Sequence, residues 1–141
     1  MPNTTLHTSA ALIGRFLLAA IFIQAGFGKI MGYAGTLEYM QKAGVPGQLL
    51  PAVIAIELLG GILIAIGWQT RLVALALAAF TIAAAVLFHA NFGDRNQSIH
   101  FMKNLAIAGG FLSLFANGAG GWSVDGRAST GAGRPTDRPV V

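Results

Sequence analysis

Four apolar runs punctuate the sequence, from Ala10 to Phe27, Leu50 to Gly67, Leu72 to Phe88 and Phe101 to about Ala116. Each matches the roughly 20 residues that a helix needs to cross a bilayer. Inside lipid every backbone N–H and C=O must find a partner within the segment, so runs of this length are predicted to be helices. Only 10% of the residues are charged and the mean hydropathy is +0.66, values far from those of water-soluble domains. The sequence therefore predicts an all-α fold, an integral membrane four-helix bundle. Little of the 141 residues remains for a separate catalytic domain.

The connections set the order of the spans. Trp68-Gln69-Thr70-Arg71 is too short for anything but a tight turn, which makes the second and third spans antiparallel. Tyr33 to Gln48 is too polar to cross but mixes Leu37, Tyr39 and Met40 with Glu38, Gln41 and Lys42, the pattern of a short interfacial helix, here stopped at Gly44-Val45-Pro46. Ala90 to His100 forms a polar connection before the fourth span. Beyond Asn117 the composition turns to Gly, Arg, Pro, Ser and Thr, which bury too little apolar surface to order themselves. The expected division is a four-span domain over residues 1–125 and a disordered tail over residues 126–141. The first run is read as a retained span and not a cleaved leader, because it lacks a basic start and carries Arg15 within it.

The net charge of +4 comes from nine Lys and Arg residues scattered singly between apolar runs, which orient a chain in a membrane and do not form a nucleic-acid surface. Arg15, Arg71, Arg127, Arg134 and Arg138 fall on one side, against Lys29, Lys42, Arg95 and Lys103 on the other; this bias places both termini in the cytoplasm. There is no cysteine, hence no disulfide, thiolate ligand or thiol exchange from this chain. His89 and His100 flank a loop without the spacing of a metal site, so no metal is expected.

Chemistry in such a chain must come from polar residues inside the spans. Glu57 is the only acid there, and an ionised carboxylate near a bilayer centre costs about 2.5 to 3.5 kcal/mol unless paired, protonated or wetted. Helical spacing aligns Arg15, Phe22, Gly26 and Lys29 on the first span and Val53, Glu57, Gly60, Gly61 and Ile64 on the second. Arg15 is the expected partner of Glu57. His89, Lys103 and Asn104 gather at the junction of spans three and four, on the Lys29 side, and complete a candidate polar site of Arg15, Lys29, Glu57, His89, Lys103 and Asn104. Gly26, Gly60, Gly61, Gly109 and Gly110 are the positions where helices are expected to approach closely.

Gly14-Arg15, Phe22, Gly26, Lys29, Gly44-Val45-Pro46, Glu57-Leu58-Leu59-Gly60-Gly61, Thr70-Arg71, His89, Lys103-Asn104 and Gly109-Gly110, closed by Ser123-x-Asp125, together resemble the DoxX family from about Leu12 to Asp125. The resemblance implies a bacterial inner-membrane protein, with relatives linked to a thiosulfate:quinone oxidoreductase and to membrane-associated redox or thiol-stress complexes. No cofactor is identifiable from the sequence; an electron-transfer role requires a bound quinone or a partner that carries the cofactor. The leading expectation is an accessory subunit that meets a quinone or other lipophile and a membrane or peripheral redox protein. A small transporter or proton pathway, and a purely structural docking subunit, stand as alternatives. Homo-oligomerisation stays open, since small-residue faces serve contacts within and between chains equally.

Overall fold

The computed structural model describes residues 4–131, all in helices and short connections. The elements are α1 (Thr4–Met31), α2 (Tyr33–Lys42), a single 3-10 turn (Gly47–Leu49), α3 (Leu50–Ile66), α4 (Thr70–His89), α5 (Arg95–Asn117) and α6 (Val124–Gly131). Four segments are long and apolar enough to cross a membrane: Thr4–Met31, Gly47–Ile66, Thr70–His89 and Arg95–Asn117. The expected four-helix membrane bundle is what the chain forms, with α2 as the short helix between the first two spans.

Helix ends follow local chemistry. α1 begins before the apolar run, and there the hydroxyls of Thr8 and Ser9 are satisfied within the helix by donating to the carbonyls of Thr4 and Thr5. At about 42 Å for 28 residues it is longer than the bilayer's hydrocarbon core. α3 opens with Pro51, whose missing N–H costs nothing in a first turn, and closes at Gly67. Gly67 sits at φ 71°, ψ 46°, and with Trp68 it donates to the carbonyls of Leu63 and Ile64. α5 starts six residues before the apolar run, because the Asp94 carboxylate accepts from the N–H groups of Asn96 (2.8 Å) and Gln97 (3.2 Å). The polar connection expected up to His100 is thereby shortened to residues 90–94.

The bundle is built of two close antiparallel pairs, α1 with α3 and α4 with α5, joined chiefly where α3 meets α4. The glycines of the first pair explain its closeness. A Cβ on Gly61 would stand 2.8 Å from the Ile23 side chain and 3.2 Å from the backbone of Ala19 and Ile23, and one on Gly26 would stand 2.7 Å from Leu58. Gly60 instead receives Leu77 of α4, and Gly110 receives Leu18 of α1. Gly109, expected among these contacts, has nothing within 4 Å and faces outward, since Gly110 beside it already occupies the inward position of α5. Between the pairs lies a core of Ala19, Phe22, Ile64, Ala74, Leu77, Ala78, Ala108 and Phe111. The Phe22 ring meets Phe111 edge-on at 5.3 Å and tilts against Phe80 at 6.3 Å. Large apolar side chains such as Leu17, Phe27, Leu59 and Leu72 point away from the bundle, as expected of a lipid-facing surface.

The segment after α5 is not wholly the tail expected from composition. Residues 126–131 belong to α6, and its first turn docks onto the bundle through Asp125. The remainder of the expected tail, residues 132–141, lies outside the described residues.

Candidate functional site

The six residues expected to share one polar site are divided by the structure between the two ends of the bundle and its outer face. Lys29, Glu57, His89 and Asn104 line one cavity of about 470 Å³ between the two helix pairs. Arg15 lies near the opposite end, and Lys103 is exposed on the outer side of α5 among Arg95, Ile99 and Met102.

Arg15 does not pair with Glu57. α1 and α3 run antiparallel, so Arg15 stands level with Ala65, eight positions beyond Glu57, an offset of about 12 Å along the helix. Its guanidinium is spent elsewhere, donating to the carbonyls of Ala119 (2.5 Å), Trp122 (3.0 Å) and Ala65 (3.1 Å), while its Nε is buried without a partner. Beside it the Asp125 carboxylate accepts from the backbone N–H of Gln69 (2.9 Å) and Thr70 (2.8 Å), and the Asp125 N–H donates to the Gly67 carbonyl (2.9 Å). Asp125 thus caps the N-terminus of α4 from a distant part of the chain. Burial would raise its pKa, but the hydrogen bonds from Thr70 and Gln69 and the nearby Arg15 charge outweigh that and hold it below the ordinary aspartate value. Gly67 is required twice here, for its left-handed backbone and because a Cβ would collide with Ser123. These contacts form a clamp that ties α1, α3, α4 and the chain after α5 together. Its chemistry is structural: every donor of Arg15 that is bonded goes to a carbonyl of this chain. The Ser123-x-Asp125 pattern was visible in the sequence, but its target was not, because the contact spans about fifty residues.

Glu57 finds its partner in Lys29. Side chains on a helix lean toward its N-terminus, so Lys29, near the end of α1, reaches back into the bundle and places Nζ 2.9 Å from Glu57 Oε1. Glu57 is 6% exposed and its Oε2 is buried without a hydrogen bond among the described residues; the Lys29 side chain is 29% exposed. The charge of Glu57 therefore depends on one neighbour, and Lys29 keeps two ammonium protons that are not used by Glu57.

The cavity walls are mostly apolar. Phe22, Phe80, Phe88, Ile21, Leu87 and Ile107 form much of the lining, and Thr36, Tyr39, Met40, Val45 and Leu49 contribute from α2 and the turn that follows. The Tyr39 ring stacks on Phe88 of α4 at 5.4 Å with an interplanar angle of 18°, so the interfacial helix covers the space between the pairs. Composition marked α2 as interfacial, but no local signal showed that Tyr39 would reach α4. Thr81 donates to the Leu77 carbonyl within its own helix and leaves an accepting lone pair on the wall. His89 Nδ1 lies 2.7 Å from Gln97 Oε1, and its ring stacks at 5.1 Å on His100, which is exposed. Asn104 is half-buried on the cavity wall, and its amide makes no hydrogen bond to the described residues. Among the described residues no group of three His, Cys, Asp or Glu side chains gathers to hold a metal.

Such a space, apolar with a few polar groups at chosen points, suits a small lipophilic molecule with a hydrogen-bonding head, and its volume lies within the range of small-molecule sites.

Residues 10–90 match the family model described as DoxX. The chain is 50% identical over 120 residues to the inner membrane protein YqjF of Escherichia coli, covering 85% of this chain and 92% of that one. It is 41% identical over 124 residues to the inner membrane protein YphA of the same organism, covering 82% and 88%. Over 76 residues it is 34% identical to CatD of Bacillus subtilis, whose name carries the word oxidoreductase; 54% of this chain and 56% of that one are covered. No solved structure matches the chain.

Proposed function

The chain belongs to the DoxX family, and we propose that it serves in a bacterial inner membrane as an accessory subunit of a redox or stress-response complex, holding a quinone or similar lipophile between its two helix pairs. The observation that carries this reading is the 470 Å³ cavity, apolar and aromatic over most of its wall, with the Lys29–Glu57 pair, His89 and Asn104 as its polar points. The names of YqjF and YphA support the membrane, and the name of CatD supports a redox setting.

The residues present fit a quinone head. Phe80, Phe88 and Tyr39 offer flat faces for a ring, and Lys29 has spare donors for a carbonyl oxygen. A bound quinone would supply two-electron, two-proton chemistry, which this chain lacks cofactor groups to perform. The chain's own part is to exclude lipid from the head, fix its orientation and hold the Glu57 carboxyl beside it through Lys29. The excess of Arg15, Arg71, Arg127, Arg134 and Arg138 over Lys29, Lys42, Arg95 and Lys103 supports a cytoplasmic clamp end and cytoplasmic termini, with the cavity end on the opposite face.

The test is purification of the full chain from its native membrane in mild detergent, followed by mass spectrometry of the bound small molecules and of any copurifying proteins. A stoichiometric quinone or other ring-bearing lipophile is the expected result. Preparations that carry only bulk phospholipid, and that bind no added quinone, would remove the reading.

A further inference from the structure

The polar points of the cavity are split between its two walls. Lys29 and Glu57 belong to the α1–α3 pair; His89, Thr81 and Asn104 belong to the α4–α5 pair, where the Thr81 hydrogen goes to the Leu77 carbonyl and His89 Nδ1 faces Gln97 Oε1, which leaves the Asn104 amide. α3 and α5 both start from the same end of the bundle. Against α1, Glu57 lies beside Gly26 and Gly110 lies beside Leu18; Gly26 is eight positions from Leu18 and Asn104 six positions from Gly110 in the same direction, about 12 and 9 Å, so Glu57 and Asn104 lie at similar depth. The Lys29 ammonium is drawn down to the Glu57 level by their 2.9 Å contact. Two sets of donors therefore stand across an apolar, aromatic-walled gap. On one side are the Lys29 protons that Glu57 does not use, and on the other an Asn104 amide without a partner among the described residues.

Half-buried on the cavity wall, the Asn104 amide keeps its donors free to meet whatever fills the gap. We propose that the cavity reads its ligand from both walls at once, taking a flat ring with accepting oxygens at opposite positions, one receiving from Lys29 Nζ and the other from the Asn104 amide. This inference rests on the reading of the cavity as a lipophile site. It adds that an apolar body with a single polar end is a poor ligand, and that Asn104 is a specificity residue.

The experiment compares two flat bicyclic probes of nearly equal size, 2-methyl-1,4-naphthoquinone with opposed carbonyls and 2-methylchromone with one carbonyl opposite a weakly accepting ring ether oxygen. Equilibrium binding is measured on the full chain in lipid nanodiscs. The absence of cysteine removes the thiol adducts that quinones otherwise form. The dicarbonyl probe is expected to bind about tenfold more tightly, the worth of one added hydrogen bond in a dry site. Asn104→Leu, which keeps the side chain's bulk, should erase that advantage while leaving the single-carbonyl probe unchanged, since its one carbonyl goes to the charged Lys29. Equal affinity for the two probes would overturn the two-wall inference while leaving the lipophile site standing, and so would an equal loss for both in Asn104→Leu. Binding of neither probe would remove the lipophile site itself.

Discussion

Breaking the Lys29–Glu57 pair tests the site and the bundle together. Lys29→Met keeps the length of the side chain and removes its charge. It leaves Glu57, 6% exposed with Oε2 already unpartnered, holding a charge with no neighbour to answer it. Removing one partner of a buried pair costs about 3 to 5 kcal/mol, and Glu57 has no second hydrogen bond to soften that loss. Glu57→Gln removes the charge on the other side, where the milder loss reflects a lysine that is more exposed and can turn toward the interface. The double variant leaves no orphan charge, so it should recover about 1 to 3 kcal/mol relative to the sum of the singles. Arg15→Ala supplies the control. It opens the clamp, but Arg15 does not contact Glu57, so its cost should add to that of Glu57→Gln without coupling. The assay is reversible unfolding of the full chain in detergent, with all variants at one lipid composition. Additive behaviour of Lys29→Met with Glu57→Gln, or coupling of Arg15 with Glu57, would refute this account of the pair.

The clamp, the glycines and the chain's orientation give three further expectations. Because Asp125 has its pKa lowered on folding, its contribution is fully present above the unfolded aspartate value near about 4 and fades as pH falls through the lower folded value. Wild-type thermal stability should thus drop below about pH 4 more steeply than that of Asp125→Ala, and parallel pH profiles would contradict the cap. Gly61→Val should separate α1 from α3 and lose folded protein in detergent, whereas Gly109→Ala, with open space around it, should match or slightly exceed the wild type. A periplasmic alkaline-phosphatase fusion to the chain's C-terminus should be inactive if both ends are cytoplasmic, and high activity would reverse the assigned orientation.

The spans were legible because apolar length is a one-dimensional signal that lipid makes compulsory: a run such as Leu72 to Phe88 has no alternative to a helix. Gly60 and Gly61 were legible as contact points from their place beside Glu57, whereas Gly109, also inside a span, faces open space, so a glycine there marks close approach only on the inward face. The partner of Glu57 was not. Spacing put both Arg15 and Lys29 on the Glu57-facing stripe of α1, and choosing between them needs the vertical offset of two antiparallel helices. That offset is fixed by where Gly61 seats Ala19 and Ile23, a matter of three dimensions. The capping role of Asp125 was hidden for a related reason. A tail rich in Gly and Ser carries no apolar signal, yet one carboxylate and one turn of helix suffice to dock it when the unpaired N–H groups of Gln69 and Thr70 lie within reach.

The same offset explains why the cavity lies where it does. At the clamp end Arg15, Gly67 and Asp125 join α1, α3, α4 and the chain after α5 through hydrogen bonds to backbone, which fixes the two helix pairs against each other irrespective of side-chain size. The core of Phe22, Leu77 and Phe111 then fills the middle. Toward the Lys29 end the α4 wall carries Thr81, Ala83 and Ala84, side chains too small to close the gap. The gap is covered instead by α2, which meets α4 through the Tyr39–Phe88 stack and hangs from α1 by Gly32. A bundle pinned at one end and spaced by small residues at the other can keep an opening between its pairs without losing its fold, because the free energy of assembly is concentrated away from the opening. Polar groups placed in that opening then owe their positions to the clamped end, and Glu57 and Asn104 are held at similar depth whether or not anything lies between them.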